Sequence, residues 1–422
     1  MVTPHNTSTG AYFNLSEAAL RRLLVAGTQR EIVETHLGKD LYTELRALAI
    51  ATRRRRAARG PRVYILHGIM GSRLGHPHRD ARRSEVVWVD PRALAAGRLT
   101  ELALAGDSRV RALGVQTFMY LKLKLALERA GCDVQSYAYD WRQDVLILGA
   151  QLRDRIRADD KGPVSIVAHS MGGLVARAAM QDDPEPTIAR LIMLGTPNFG
   201  SFATVLALRG AYPPVHKIAM LDHEHDADAH AQHVFATFTG LYQLLPAPER
   251  LGRLDLRRPS TWPRRGPRPL VSELKRSANY RLHLAPADAR FTLIAGVGQP
   301  TVTAMRRRGE EFEFEVTRNG DGTVPLSLAL LAGAKTYYVA EGHTELPSNS
   351  RVVAAVLDLL VHGNTRRLAK RWFTSRAAPR WICERDLRFT TSLAHDWEKL
   401  SAATQRELLE GIVFPGRTAP QR

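Results

Sequence analysis

Val164-Ser-Ile-Val-Ala-His-Ser-Met-Gly-Gly173 is the stretch whose reading decides the fold. Its first four residues, rich in β-branched side chains, have the composition of a buried strand. The run breaks at once into small-x-Ser-x-Gly, with Ala168, Ser170 and Gly172 at the defining positions, and the residues from Gly173 to Met180 continue as a helix. A strand, a tight turn and a helix around one serine make a nucleophile elbow. The small residues flanking Ser170 let the backbone turn sharply and leave Oγ exposed on a strained residue. Ala168 stands where glycine is usual, and smallness is all that position requires. The bare pattern is common by chance and is often only a helix start. The strand before it and the helix after it give it weight.

Outward from the elbow, buried strands alternate with helices. Arg62-Val-Tyr-Ile-Leu66 runs into His67-Gly-Ile-Met-Gly-Ser72, where Gly68 and Gly71 allow the backbone to fold back with N–H groups turned toward a ligand. A helix over 116–130 leads to a strand over 133–139 and to Tyr139-Asp-Trp-Arg142, and a helix over 145–156 precedes the elbow. After it comes a strand over 189–194 ending in Gly195-Thr-Pro-Asn-Phe-Gly-Ser201. This alternation predicts a mostly parallel sheet with helices on both faces. From about 200 to 288 the rhythm fails, as expected of a lid or cap insertion. The sheet resumes at Phe291, with 311–316 as its expected hairpin partner, a last strand over 335–340 and a closing helix over 351–360. The main domain therefore spans 59–362. Residues 1–58 form an N-terminal helical extension, with Ser16, Thr28 and Asp40 opening three helices. Residues 363–422 form a C-terminal extension, basic at first and helical around 401–412.

Composition narrows the classes. Lys and Arg number 60 against 42 Asp and Glu, a net charge of +18. Such a surface is drawn to anionic partners, phospholipid headgroups or nucleic acid. The densest runs, Arg53–Arg56 and Arg306–Arg308, lack interleaved aromatics and any nucleic-acid motif, so no nucleic-acid partner is expected. No apolar run is long enough to span a membrane, and the first thirty residues show no secretory signal. Cys132 and Cys383 cannot build a disulfide framework, which fits a reducing compartment, so the expected address is cytoplasmic.

A serine hydroxyl needs a base, and the base needs an orienting acid. Asp321 lies in Asn-Gly-Asp-Gly-Thr and His343 in Glu-Gly-His-Thr, each at a loop that would feed the carboxyl edge of a parallel sheet. Alone, Asp321 is an ordinary turn residue and His343 an ordinary loop histidine. In the order serine, acid, histidine, they match the α/β-hydrolase arrangement. The backbone N–H groups of Ile69 and Met171 are the candidate oxyanion donors. Neither cofactor nor metal is required by this chemistry. The cluster His223, His225, His230 and His233 among acidic residues is the one candidate zinc site, and a solvated loop explains it as well.

Together the segments Leu66-His-Gly-Ile-Met-Gly-Ser-Arg-Leu74, Tyr139-Asp-Trp-Arg142, Ala168-His-Ser-Met-Gly-Gly173, Thr196-Pro-Asn-Phe-Gly-Ser201 and Gly320-Asp-Gly-Thr-Val-Pro325 resemble the lecithin:cholesterol acyltransferase-like family of α/β-hydrolases. The resemblance covers roughly 60–362. It implies Ser170 as nucleophile, Asp321 as acid, His343 as base and Ile69 as oxyanion donor. It also implies attack on a lipid ester through an acyl-enzyme that passes its chain to water or to an alcohol. The chain lacks the signal peptide and the cysteines of the animal secreted members, so the resemblance does not extend to lipoprotein acceptors such as cholesterol. Two other readings remain: a soluble carboxylesterase acting on small esters, and a non-catalytic partner-binding protein on a hydrolase scaffold.

Overall fold

The computed structural model describes residues 14–413 apart from 54–59, 81–82, 105–107, 160–161, 182–186, 253, 375–377 and 389–394. The expected boundary near 58 and most of the Arg53–Arg56 run lie outside the described residues. In chain order the strands are β1 (Arg62–Leu66), β2 (Ser72–His76), β3 (Glu85–Trp88), β4 (Arg111–Val115), β5 (Asp133–Tyr137) and β6 (Val164–His169). They continue as β7 (Ile188–Leu194), β8 (Phe291–Gly296), β9 (Thr301–Arg308), β10 (Glu311–Thr317), β11 (Lys335–Val339) and β12 (Arg380–Cys383). Helices of eight residues or more are α1 (Glu17–Ala26), α2 (Arg30–Leu37), α3 (Lys39–Arg53) and α4 (Thr117–Ala130), followed by α5 (Val145–Asp159), α6 (Met171–Met180), α7 (Ser350–His362) and α8 (Ala402–Val413).

A six-stranded sheet in the order β11-β8-β7-β6-β1-β5 forms the centre, and every neighbouring pair in it is parallel. Strands β6 and β8 are buried along their whole length, as parallel strands covered on both faces must be. Helices α5 and α6 pack together on one face. Gly149 permits their close approach, because a Cβ there would sit 2.4 Å from Ala178 Cβ. Helices α4 and α7 cover the other face, tied by Lys122 Nζ donating to Ser350 Oγ at 2.8 Å. With the elbow between β6 and α6, this is the α/β-hydrolase fold.

At the N-terminal end, Leu20, Leu24, Leu45 and Leu48 of α1 and α3 pack on Leu121 and Leu125 of α4. Ser16 caps α1 by accepting from Ala19 N–H. Thr28 does not cap α2, which begins at Arg30 after Gln29 in a left-handed conformation. Between β7 and β8 the insertion folds into short helices, among them Ala203–Leu208, Pro213–Ala219, Ala227–His233, Thr239–Gln243 and Val271–Arg276. Phe235, Phe238 and Trp262 give it a buried core continuous with that of the sheet.

Two expectations are corrected. The partner of β10 is β9, reversed through Gly309-Glu310 with Gly309 at φ +60°, and both belong to a separate three-stranded sheet. Strand β8 already has parallel neighbours on both sides and no edge to offer a hairpin. The segment from 363 onward is also not simply helical. It first passes the outer edge of β11, making a single antiparallel bridge in which Tyr338 N–H donates to Ala369 O at 2.8 Å, and then adds β12 to β10. Both stretches cover strand edges that would otherwise present unpaired backbone groups. Helix α8 follows and seats on the Pro213–Ala219 helix and on α2, with Arg406 Nη1 donating to Thr35 O at 2.9 Å. None of the described helices is long and apolar enough to cross a membrane.

Candidate active site

Ser170 adopts φ 53° and ψ −126°, a conformation that costs a non-glycine residue about 1–3 kcal/mol. The neighbouring structure enforces it. Ser170 N–H donates to Leu194 O at 2.9 Å on β7, and α6 starts at the next residue. Gly173 has no room for a side chain, since a Cβ there would lie 2.0 Å from Thr196 Oγ1.

The structure brings Ser170, His343 and Asp321 into one hydrogen-bonded chain. His343 Nε2 stands 2.9 Å from Ser170 Oγ, and His343 Nδ1 stands 2.7 Å from Asp321 Oδ2. All three residues are buried. The Asp321 carboxylate is oriented by its own loop: Oδ1 accepts from the N–H groups of Thr323 (3.0 Å) and Val324 (2.7 Å). His343 N–H donates to Asp321 O at 2.8 Å, so the two loops are joined through backbone as well as side chain. The ring Nδ1 therefore carries its proton toward the carboxylate, and Nε2 is left as an acceptor for the serine hydroxyl.

The glycine turn after β1 lies against the serine, close enough that a Cβ on Gly68 would be 2.8 Å from Ser170 Cβ. Ile69 borders the cavity at Ser170, and Met171 opens α6, where the first N–H groups of a helix lack intrahelical partners. Tyr139-Asp-Trp-Arg142 braces this turn from behind. The Tyr139 hydroxyl donates to His67 O, the two rings stack at 3.9 Å, and Trp141 Nε1 donates to Ser72 O at 3.2 Å. Arg142, wholly buried, is paired with Asp140 at 2.6 Å and donates to Leu102 O and Val110 O. The motif thus supports the turn and contributes nothing to the cavity lining beside Ser170. Burial pushes the His67 ring down to about 4, so it stays neutral between Gly68 O and Tyr139 N–H.

Tyr120 and His169 had no signal in the sequence beyond their types. His169 Nε2 lies 2.9 Å from His343 O and must carry a proton to do so. Burial holds the ring neutral by pushing its pKa well below the usual value, with the neighbouring His343 adding to the effect. Nδ1 then accepts from the Tyr120 hydroxyl at 2.9 Å, and that oxygen accepts from Gly68 N–H at 3.0 Å. One polar chain consequently runs from the glycine turn to the backbone of His343.

The cavity at Ser170 is apolar and small, about 70 Å³, bordered by Ile69, Leu241, Leu244, His343 and Val413 among others. Val413 belongs to α8, so the insertion and the C-terminal helix together roof the serine. A polar cleft of about 900 Å³ between Arg109, Asp140, Gln151 and Glu273 reaches Tyr139 but none of the three hydrogen-bonded residues. The four clustered histidines do not converge. His230 is buried against Asp222 at 3.1 Å, His225 lies 3.3 Å from the same carboxylate, and His223 and His233 are exposed. Among the described residues no group of three or more His, Cys, Asp or Glu side chains is set to hold a metal ion.

Fold and elbow place the chain among the α/β-hydrolases. The family model for lecithin:cholesterol acyltransferase matches residues 122–354, more than half of the chain, and the protein belongs to that family. Family and fold are those of ester hydrolases and acyltransferases. An uncharacterized protein of Saccharomyces cerevisiae is 27% identical over 149 residues, which is 31% of this chain and 23% of the yeast protein. The match thus spans less than a quarter of that relative. Among solved structures, mature lipase BlEst2 of Bacillus licheniformis aligns with a TM-score of 0.38 at 16% identity, covering 73% of this chain and 94% of the lipase. The Tle4–Tli4 complex aligns at 0.44 and 16%, covering 71% and 98%.

Proposed function

We propose that the protein cleaves lipid esters, phospholipid or acylglycerol, by nucleophilic catalysis at Ser170. The observation that carries this reading is the hydrogen-bonded chain Ser170–His343–Asp321 at the floor of an apolar cavity. His343 Nε2 takes the hydroxyl proton as Oγ attacks the ester carbonyl, and Asp321 holds the ring and stabilises the imidazolium. The N–H groups of Ile69 and Met171 receive the developing oxyanion. Collapse expels the alcohol, lysolipid or diacylglycerol, which takes its proton from His343. Water or an alcohol then attacks the acyl-enzyme, giving fatty acid or a new ester.

The test incubates the protein and its Ser170→Ala variant with a defined phospholipid, with and without a long-chain alcohol. Fatty acid, lysolipid and new ester are quantified together. Turnover should fall about 10⁴-fold or more in the variant. Equal turnover by both proteins refutes the assignment of Ser170. The cavity volume favours a second reading, a carboxylesterase for small esters, because ordinary ligand pockets run from about 300 to 1,000 Å³. Activity that falls steadily as the acyl chain is lengthened selects that reading.

A further inference from the structure

Beyond the family match, the segment Arg366-Arg-Leu-Ala-Lys-Arg-Trp-Phe373 passes the edge strand β11 and brings Trp372 to Gly298, just past the carboxyl end of β8. Leu368 anchors it in the core, while Arg366, Arg367, Lys370, Arg371 and Phe373 face solvent. Phe373 is 87% exposed, more than any other large apolar side chain among the described residues. Arg367 is paired with Asp358 at 3.0 Å, but among the described residues no carboxylate pairs with Lys370 or Arg371. Glu341, the nearest acid at the end of β11 in sequence, already accepts from Gly342 N–H and from Asn349 Nδ2.

The ridge ends near the loop that carries Asp321. A Cβ built on Gly298 would lie 3.9 Å from Trp372 Cη2, and Gly298 N–H donates to Arg318 O. The next residue, Gln299, donates to Gly320 O, immediately before Asp321. Arg318 is exposed there and adds another positive charge, its Nη1 donating to Gly298 O at 3.1 Å. An exposed phenylalanine flanked by a half-buried tryptophan and uncompensated bases suits a bilayer interface: the ring enters the headgroup boundary and the bases meet anionic lipid.

We propose that Lys370, Arg371, Trp372 and Phe373, with Arg318, dock the protein on anionic phospholipid bilayers and so set the carboxyl edge of the sheet against the headgroups. The proposal rests on the lipid-ester reading above for its use, and its test is independent of turnover. Ser170→Ala protein is sedimented with vesicles of phosphatidylcholine alone and of phosphatidylcholine with phosphatidylserine, at low and high salt. Each base near an anionic surface strengthens binding about fivefold, so Lys370→Ala/Arg371→Ala should weaken binding to the serine-lipid vesicles about 25-fold. Phe373→Ala should weaken binding to both compositions. Arg129→Glu makes the same net-charge change on an exposed residue at the end of α4, toward the amino edge of the sheet, and should change binding by less than about twofold. With Ser170 restored, the ridge variants should hydrolyse a short soluble ester at the wild-type rate, which separates docking from folding. Equal losses for Arg129→Glu, undiminished binding by the ridge variants, or a single-stranded oligonucleotide bound more tightly than vesicles would each overturn the proposal. Docking through the ridge without turnover of either phospholipid or acylglycerol by the wild type would keep the surface and sink the lipid-ester reading.

Discussion

Asp321→Asn isolates what the carboxylate contributes. Oδ1 accepts from two backbone N–H groups, at 3.0 and 2.7 Å, while Oδ2 faces His343 Nδ1 at 2.7 Å. An asparagine of the same shape must keep its carbonyl oxygen where Oδ1 was, because an NH₂ there would meet two donors. Its NH₂ is thereby turned toward His343 Nδ1, which then has to accept. The ring proton moves to Nε2, 2.9 Å from Ser170 Oγ, and the lone pair that would take the serine proton is gone. A wrong tautomer of this kind lowers kcat by about 10⁴, close to 5 kcal/mol of transition-state stabilisation. KM and the melting temperature should barely move, since Asp321 is buried behind the histidine and the replacement is isosteric. Steady-state kinetics on a soluble chromogenic ester at neutral pH, with a thermal melt alongside, measure all three. A kcat within tenfold of wild type at unchanged melting temperature would refute the reasoning.

Tyr120→Phe removes the hydroxyl between Gly68 N–H and His169 Nδ1, leaving two buried polar groups unpaired. Stability should fall by about 1–3 kcal/mol in denaturant titrations, and kcat should drop more than KM rises because the turn beside Ser170 loosens. Unchanged kcat would show that the polar chain does not position the turn. The buried histidines also predict acid sensitivity. Burial holds His67 and His230 down to about 4 and His169 well below its usual value, whereas an unfolded histidine titrates near 6.5. Between those values the unfolded chain binds protons that the folded chain refuses, so this stability is complete above about pH 6.5 and is lost as pH falls toward 4. Melting temperature against pH checks it, and a flat profile across that window would show that these rings are not held neutral.

The parts of this architecture that depend on neighbours in the chain were the legible ones. A buried strand, a small-residue turn and a helix are adjacent in 164–180, so the elbow could be read directly, and the order Ser170, Asp321, His343 follows from loops that end their own local segments. The pairing of β9 with β10 was missed although Gly309-Glu310 marks the turn, because β8 looked like an available partner until its two parallel neighbours were known. Strand β12 and the run along β11 respond to open edges made far away in sequence. The chain of contacts Gly68–Tyr120–His169–His343 joins four separate segments, and no periodicity records it. The ridge at Lys370–Phe373 was hidden for a related reason: basic residues become a surface only when their carboxylate neighbours are known.

Helix α8 changes what the end of this chain means. Leu408, Leu409, Ile412 and Val413 are buried, Val413 borders the cavity at Ser170, and Arg406 reaches the backbone of α2. The two extensions therefore clasp each other through α8, which also borders the cavity, like a buckle whose halves come from distant parts of the polypeptide. A group entering beside Ser170 meets side chains from the central insertion and from α8 at once, and α8 is in turn tied to α2. Trimming the C-terminal extension would thus remove a wall of the cavity, and trimming the N-terminal one would remove a support of α8.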